Sequence, residues 1–277
     1  MTERVSVLIP VHAGIEPAHL ERALDSIAAQ TRRPDEVVLV EDGPLSDAHH
    51  TAISTAERAL PELVREVLPV NRGAGVANQA GLMRCTGTWI LKADADDISL
   101  PDRLQRQLAH AHQTGADVSG TAMWEFRGAE DDVVSVRTPP LTHDDIVRRM
   151  RWNNPMNHPT TLYRADLARA AGGYGDLRYM QDYDLFARML SRGARFANLA
   201  EPLVLFRAGD AVMTRRRSPA MRRCEWELQG NLHRYGIVGP VRRYANFGAR
   251  QGARMLPASA MARLHRTLFS RAAPGGS

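Results

Sequence analysis

The chain has 277 residues, 44% of them hydrophobic and 24% charged, with a formal net charge of +5 and a pI near 9.7. That is ordinary globular composition, long enough for one large α/β domain or two smaller ones with a full core. It excludes a disulfide scaffold, since only Cys85 and Cys224 are present, far apart and without metal-ligand spacing, and no apolar run approaches the roughly 20 residues of a membrane span.

In chain order, Val5 to Val11 reads as a first strand. Pro10 interrupts this apolar run, which is too short for a signal peptide, so a cytoplasmic protein is expected. Leu20, Ala23, Leu24, Ile27 and Ala28 recur at helical spacing and predict an amphipathic helix. A second buried strand is predicted at 36–40, then a helix over about 46–60, a strand at 64–68, a helix over about 75–83 and a strand at 88–91. Strands alternating with helices imply a parallel sheet covered on both faces. Ligands of such sheets bind beyond the carboxyl ends of the strands. Those ends carry Pro10-Val11-His12, Glu41-Asp42-Gly43, Asn71-Arg72-Gly73 and Asp94-Ala95-Asp96-Asp97, which together describe a nucleotide-type site. Further on, strands are predicted at 118–126 and 159–163, a short helix at 144–150, a helix beginning near Asp182, and short strands at 196–199 and 203–206. His12, His49 and His50 are expected at the surface.

Asp94 to Asp97 carries the most chemistry. Carboxylates at i and i+2 on a strand end point the same way, so Asp94 and Asp96 can converge on one hard cation. Magnesium or manganese, held by one or two carboxylates, waters and substrate phosphates, suits such a pair. The competing reading is a solvated acidic turn capping the next helix.

The segments VSVLIPV, VVLVEDG, NRG, LKADADD, NHPT and GGYGDLRYMQDYDLFARML, in that order, resemble the inverting family-2 glycosyltransferases of GT-A fold over roughly residues 5–207. ADADDISLPDRLQRQ and FRAGDAVMTRRR are most similar to enzymes that assemble bacterial capsule or exopolysaccharide. The resemblance implies an α/β fold with a Rossmann-like, mostly parallel central sheet and helices on both faces. It places a catalytic domain at 1–210, with a nucleotide-binding half to residue 100 and an acceptor-side half after it. A nucleotide-diphosphate sugar, with UDP the expected nucleotide, would donate to a hydroxyl of a glycan or lipid-linked acceptor.

Such a transfer needs a base for the acceptor hydroxyl and a Lewis acid for the departing nucleoside diphosphate. The resemblance assigns Asp182 as base, Asp96 as metal ligand and Asp94 as a contact to ribose and metal, the ion being Mn2+ or Mg2+. Asp42 would receive the base N–H of a uracil-like ring, with Glu41 secondary to it, and Pro10 and Val11 would line that pocket through their backbone. Arg72 would contact the base or the diphosphate. Lys92 would neutralise Asp94 or the diphosphate, or else snorkel at the strand end. His158 would touch donor sugar or acceptor, or serve structure. Arg207 opens an arginine-rich segment, to Arg217, that would fold over the donor, arginine being suited to bridging phosphates. Two departures stand out. Gln181 replaces an acidic neighbour of Asp182, and at a helix N-terminus without that like charge Asp182 should ionise readily. Ala77 replaces an arginine common before Asn78. Locally, Asp182 also reads as a helix N-cap, and Asp184 and Arg188 at i, i+4 as a supporting ion pair.

The positive excess points to an anionic partner. It is nearly all arginine, Lys92 being the sole lysine, and seven arginines with no acidic residue lie between Gly239 and Ser277. No nucleic-acid motif accompanies them, and nucleic acid is not expected as the partner. Residues 211–271 read as an Arg-rich loop and amphipathic helical extension, and 272–277 as a disordered tail. Val241, Tyr244, Ala245, Gly248, Gly252, Met255 and Leu256 share one helical face, and Met261, Leu264 and Leu268 belong to a second short helix from about Ser259. Such basic helices either lie on an anionic membrane surface, making the protein peripheral to the inner face of the cell membrane, or pack on the catalytic domain. Two alternative functions remain: a sugar-nucleotidyltransferase, disfavoured because no Gly-rich loop with a basic residue follows the first strand, and a non-catalytic nucleotide-sugar-binding module.

Overall fold

The computed structural model describes residues 3–208, 219–255 and 271–272. Strands β1 (Val5–Val11), β2 (Glu36–Asp42), β3 (Leu63–Leu68) and β4 (Trp89–Lys92) are joined by helices α1 (Pro17–Ala28), α2 (Asp47–Ala59) and α3 (Ala74–Arg84). They pair in parallel in the order β4-β1-β2-β3. Side chains alternate across this sheet, as the two-residue period of a strand requires. Val7, Ile9, Val37 and Leu39 pack with Leu24 of α1 and Ile53 of α2 on one face. Leu8, Val38 and Val40 pack with Ala77 and Leu82 of α3 on the other. Gly81 allows that close approach, because a Cβ there would lie 2.0 Å from Leu8 Cδ1.

The second half comprises β5 (Ile98–Ser99), α4 (Arg103–Thr114), β6 (Val118–Phe126), β7 (Val133–Arg137), α5 (His143–Met150), a 3-10 turn at His158–Thr160, β8 (Leu162–Arg164), α6 (Ala165–Ala170), α7 (Gln181–Ser191) and β9 (Phe196–Arg207). β8 lies antiparallel between β4 and β6, and β6 pairs antiparallel with β7 and parallel with β9. Parallel pairing therefore dominates the first half, and the sheet is mixed beyond β4. A two-residue strand β10 (Arg271–Ala272) pairs with β7.

Several expectations are corrected. The strand expected at 159–163 begins only at Leu162, because Pro159 and Thr160 sit in the 3-10 turn that Asn157 O and His158 O close. The two strands expected near the end of the catalytic region are one, β9, whose register shifts where Pro202 meets Ala122. His49 is buried, not at the surface, its ring nitrogens 2.7 Å from Ser46 Oγ and 2.7 Å from Ile15 O. The short helix α6 and strand β7 carried no sequence signal used above.

Nor did helix α8 (Pro219–Arg234), which precedes α9 (Pro240–Met255) in the C-terminal region. Its Cys224, Leu228 and Leu232 join the same apolar cluster as Leu185, Phe186 and Met189 of α7. Helix α9 meets α8 through polar and aromatic side chains together, Phe247 and Tyr244 lying 5.1 and 5.9 Å from the Trp226 ring. Arg250 and Gln251 donate to the buried Glu225 of α8, each at 3.0 Å. The apolar stripe is consequently outside: Val241 is 81% and Tyr244 59% exposed, with Ala245, Gly248 and Gly252 exposed beside them. The side chains of Met255 and Leu256, the second short helix, the tail and the Arg-rich loop beyond Ala208 lie outside the described residues. No helix among the described residues is long and apolar enough to cross a membrane.

Candidate functional site

The acidic segment is not a strand end. β4 stops at Lys92, and Asp94 to Asp97 form a turn in which Asp97 N donates to Asp94 O. It is this turn, and not strand alternation, that gathers the carboxylates, and the next helix starts at Arg103. Lys92 is fully buried, with Nζ 2.5 Å from Asp94 Oδ1 and 2.5 Å from Ala93 O, so it does not snorkel. Burial opposes ionisation of Asp94, yet Lys92, His158 and Arg103 together outweigh it and hold the carboxyl below its ordinary range. Asp96 is different. Burial and the neighbouring Asp94 charge push its carboxyl up, and it has no ion pair among the described residues. Asp97 is pushed up further by burial, Asp94 and Asp96. Its Oδ1 accepts from Arg207 N at 2.9 Å, and its buried Oδ2 has no partner.

This donor set fits a hard divalent cation. It offers an unpaired carboxylate at Asp96, a second at Asp94 with one oxygen not taken by Lys92, and excess negative charge that a cation would relieve. Among the described residues, no three acidic, imidazole or thiol side chains form a metal cage by themselves. An ion here would complete its shell with waters or substrate phosphates.

Asp42, at the end of β2, is buried and accepts from the backbone N–H groups of Arg72 at 2.7 Å and Gly73 at 2.9 Å. It fixes the 71–73 turn against Gly43, which has a φ of +89° and where an added Cβ would lie 2.6 Å from Asn71 N. Glu41 points to the other side, where Arg65 Nε donates to it at 2.6 Å. Pro10 and Val11 lie beside Val40 and Glu41 in the register of the sheet. Arg72 is exposed, its guanidinium unbonded among the described residues, and with Arg178 it flanks a cleft of about 310 Å³ between the start of α3 and the 175–178 loop. Arg207 lies against the acidic turn: Nε donates to Asp96 O at 3.2 Å, and the guanidinium stacks 4.6 Å from the Phe126 ring.

Asp182 sits at the second position of α7, so it is not the N-cap. That position is held by Met180, whose φ of 62° is the left-handed conformation that a side chain adopts only at a cost. Asp182 Oδ2 accepts from Asn154 Nδ2 at 2.7 Å. The Asp184–Arg188 pair is present at 2.9 Å, and Asp184 also accepts from Asn231 of α8 at 2.8 Å.

His158 joins the two acidic regions. Its Nε2 lies 2.9 Å from Tyr174 Oη, itself 3.1 Å from Tyr163 Oη. Burial pulls the imidazole below its ordinary value, Asp182 and Asp94 oppose that, and Lys92 adds to it. Tyr174, raised chiefly by burial, also feels both Asp182 and Asp94. The charges of Asp94 and Asp182 thus both act on the same pair of rings. Ala77 is buried against the sheet and offers nothing to a ligand.

Three residues were missed by sequence reasoning. Asp97 was visible in the acidic run but given no role. Arg103 is almost completely buried and donates to Lys92 O at 2.7 Å and Pro159 O at 2.9 Å, clamping β4 to the His158 turn. Burial pulls its guanidinium down to about 9. Its signal was a polar pair, Arg103 and Gln107, on the apolar side of α4. Asn154 had no signal at all.

Residues 6–170 match the family model described as Glycosyl transferase family 2. The Erwinia amylovora protein named amylovoran biosynthesis glycosyltransferase AmsE is 35% identical over 257 residues, covering 92% of this chain and 96% of its own length. An Escherichia coli UDP-Gal:alpha-D-GlcNAc-diphosphoundecaprenol beta-1,3-galactosyltransferase is 27% identical, covering 98% of each chain. Among solved structures, S. aureus TarS 1–349 in complex with UDP-GlcNAc superposes with a TM-score of 0.67 at 17% identity, over 96% of this chain and 73% of that one. That likeness is one of fold, and it agrees with the expected GT-A architecture.

Proposed function

The chain belongs to glycosyl transferase family 2, and on that premise we propose that it is an inverting, metal-dependent transferase of surface-polysaccharide assembly, moving a sugar from a nucleotide diphosphate to an acceptor hydroxyl. The observation that carries this reading is that two buried rings in contact at 2.9 Å, His158 and Tyr174, feel the charges of both Asp94 and Asp182. The leaving diphosphate and the attacking hydroxyl need two such acidic groups across one space.

The nucleoside would lie along the ends of β1 and β2, where Asp42 keeps lone pairs free beyond the two amides it already accepts. Arg72 and Arg207 would contact the diphosphate. A divalent cation, Mn2+ or Mg2+, held by Asp96 and by the Asp94 oxygen that Lys92 leaves open, would supply Lewis-acid stabilisation of that leaving group. Lys92 keeps Asp94 ionised and oriented. Asp182 takes the proton of the acceptor hydroxyl as its oxygen bonds to the anomeric carbon, while the bond from that carbon to the diphosphate oxygen breaks with inversion. UDP is the nucleotide we favour, and the acceptor a glycan or a hydroxyl carried on a lipid diphosphate. The E. coli relative's name supports both choices. A lipid-linked acceptor also suits the exposed apolar residues of α9, in a segment with arginines and no acidic residue, as a contact with an anionic membrane surface.

Asp182→Asn tests the assignment. The variant should fold and bind donor as the parent does, with transfer reduced at least about 100-fold, the usual worth of a positioned base. Undiminished turnover would remove Asp182 from the mechanism.

A further inference from the structure

The contact between Asn154 and Asp182 has a defined polarity. Met156 N–H donates to Asn154 Oδ1 at 3.1 Å, so the amide must present its NH2 to Asp182 Oδ2, 2.7 Å away. Oδ1 of Asp182 accepts nothing among the described residues. The segment before Asn154 is tied down from outside the catalytic sheet. Arg151 O accepts from Asn246 of α9 at 2.8 Å, and Trp152 O accepts from Arg250 at 2.5 Å, the same Arg250 that Glu225 of α8 holds. A neutral donor is thus held against one carboxylate oxygen by its own backbone bond and by a neighbouring strap.

We propose that Asn154 is a positioning residue for Asp182: it engages Oδ2, fixes the carboxylate rotamer, and leaves Oδ1 as the atom that receives the acceptor proton. The inference rests on the reading of Asp182 as the base. A carboxylate free to rotate would spend part of its time with neither oxygen aimed at the hydroxyl, and orientation of that kind governs turnover more than binding. The C-terminal helices, by the same chain of bonds, become part of the support of the site.

Asn154→Ala and Asn154→Asp separate this role from simple space-filling. The aspartate has the same shape and still accepts from Met156 N–H, but it sets a carboxylate against Asp182 where a donor stood. The expected order of kcat is parent, then Asn154→Ala about 10-fold lower, then Asn154→Asp lower again, with donor KM nearly unchanged and thermal midpoints reported for each. If Asn154→Asp matches the parent or exceeds Asn154→Ala, the side chain fills space and the proposal fails. An unchanged kcat in both also overturns it. Asp182→Asn, measured alongside, distinguishes the two levels: an inactive Asp182→Asn beside unaffected Asn154 variants defeats the positioning role alone. An active Asp182→Asn defeats the base assignment beneath it.

Discussion

His158 shows how a single side chain reports on the site around it. Its imidazole is held below the ordinary value of 6.5, first by burial. Near that pH the folded chain therefore binds fewer protons than the unfolded chain. Its contribution to stability is complete above about pH 6.5 and is lost as pH falls through the lowered folded value. His158→Gln removes the titration but keeps a side chain able to bond Tyr174. Thermal midpoints from about pH 7.5 to about pH 5 should fall less in the variant than in the parent. Parallel curves would show that protonation of His158 is not resisted by the fold. At this scale the sequence was informative where a residue belongs to its own local element: Asp182 falls in the first turn of α7, where a helix start was expected. It was silent where the partner is distant along the chain. Asn154 finds Asp182 twenty-eight residues later, and Arg103 reaches Pro159 fifty-six residues later, and no local pattern encodes either bond. His49 was misjudged for the same reason, its burial depending on Ile15 O.

Helix α9 carries the lesson of the elements. Its apolar stripe was legible from spacing, but which way that stripe faces was not, because orientation is decided by Glu225 on α8, a helix the sequence reading had not delineated. Removing Glu225 from water is compensated by Arg250 and Gln251, and once Arg250 points inward Val241, nine residues away, points out, while Tyr244 lies at the edge of the interface against Trp226. The exposed stripe, in a segment with arginines and no acids, is the arrangement of a surface-seeking helix. Flotation with vesicles containing anionic lipid should recover the protein in the floating fraction, and Val241→Glu with Tyr244→Glu should abolish this. No flotation of the parent would remove the membrane from the proposal, and undiminished flotation of the double variant would remove the stripe as the contact. Elements of the first half were far easier to read. β1 and β2 are continuous apolar runs buried on both faces, and α1 keeps a clean helical period, so local pattern and tertiary burial agree. β8, by contrast, has three residues and follows a 3-10 turn, leaving no period to detect.

Across the described residues, a parallel four-stranded half presents loops at one edge, and a mixed half brings the His158 turn beside the segment that follows β4. Strand β8, paired with β4, is the hinge between the halves: it sets the His158 turn directly beside the acidic segment that follows β4. The parallel half was legible because helix and strand alternate there. The mixed half was not, since its strands pair across long separations and their direction is not written in their composition. The acidic turn after β4 holds Asp96 without an ion pair among the described residues beside an Asp94 compensated by Lys92, and this makes metal-dependent donor binding the central claim. The direct measurement is calorimetric binding of UDP-, GDP- and dTDP-sugars, each with manganese and with chelator in its place, to the parent and to Asp96→Asn. One donor should bind with manganese, at least about 10-fold more weakly with chelator, and correspondingly weakly to Asp96→Asn. Binding of a donor that is indifferent to both chelator and Asp96→Asn would refute the metal, and failure of every donor to bind would refute the nucleotide-sugar site itself.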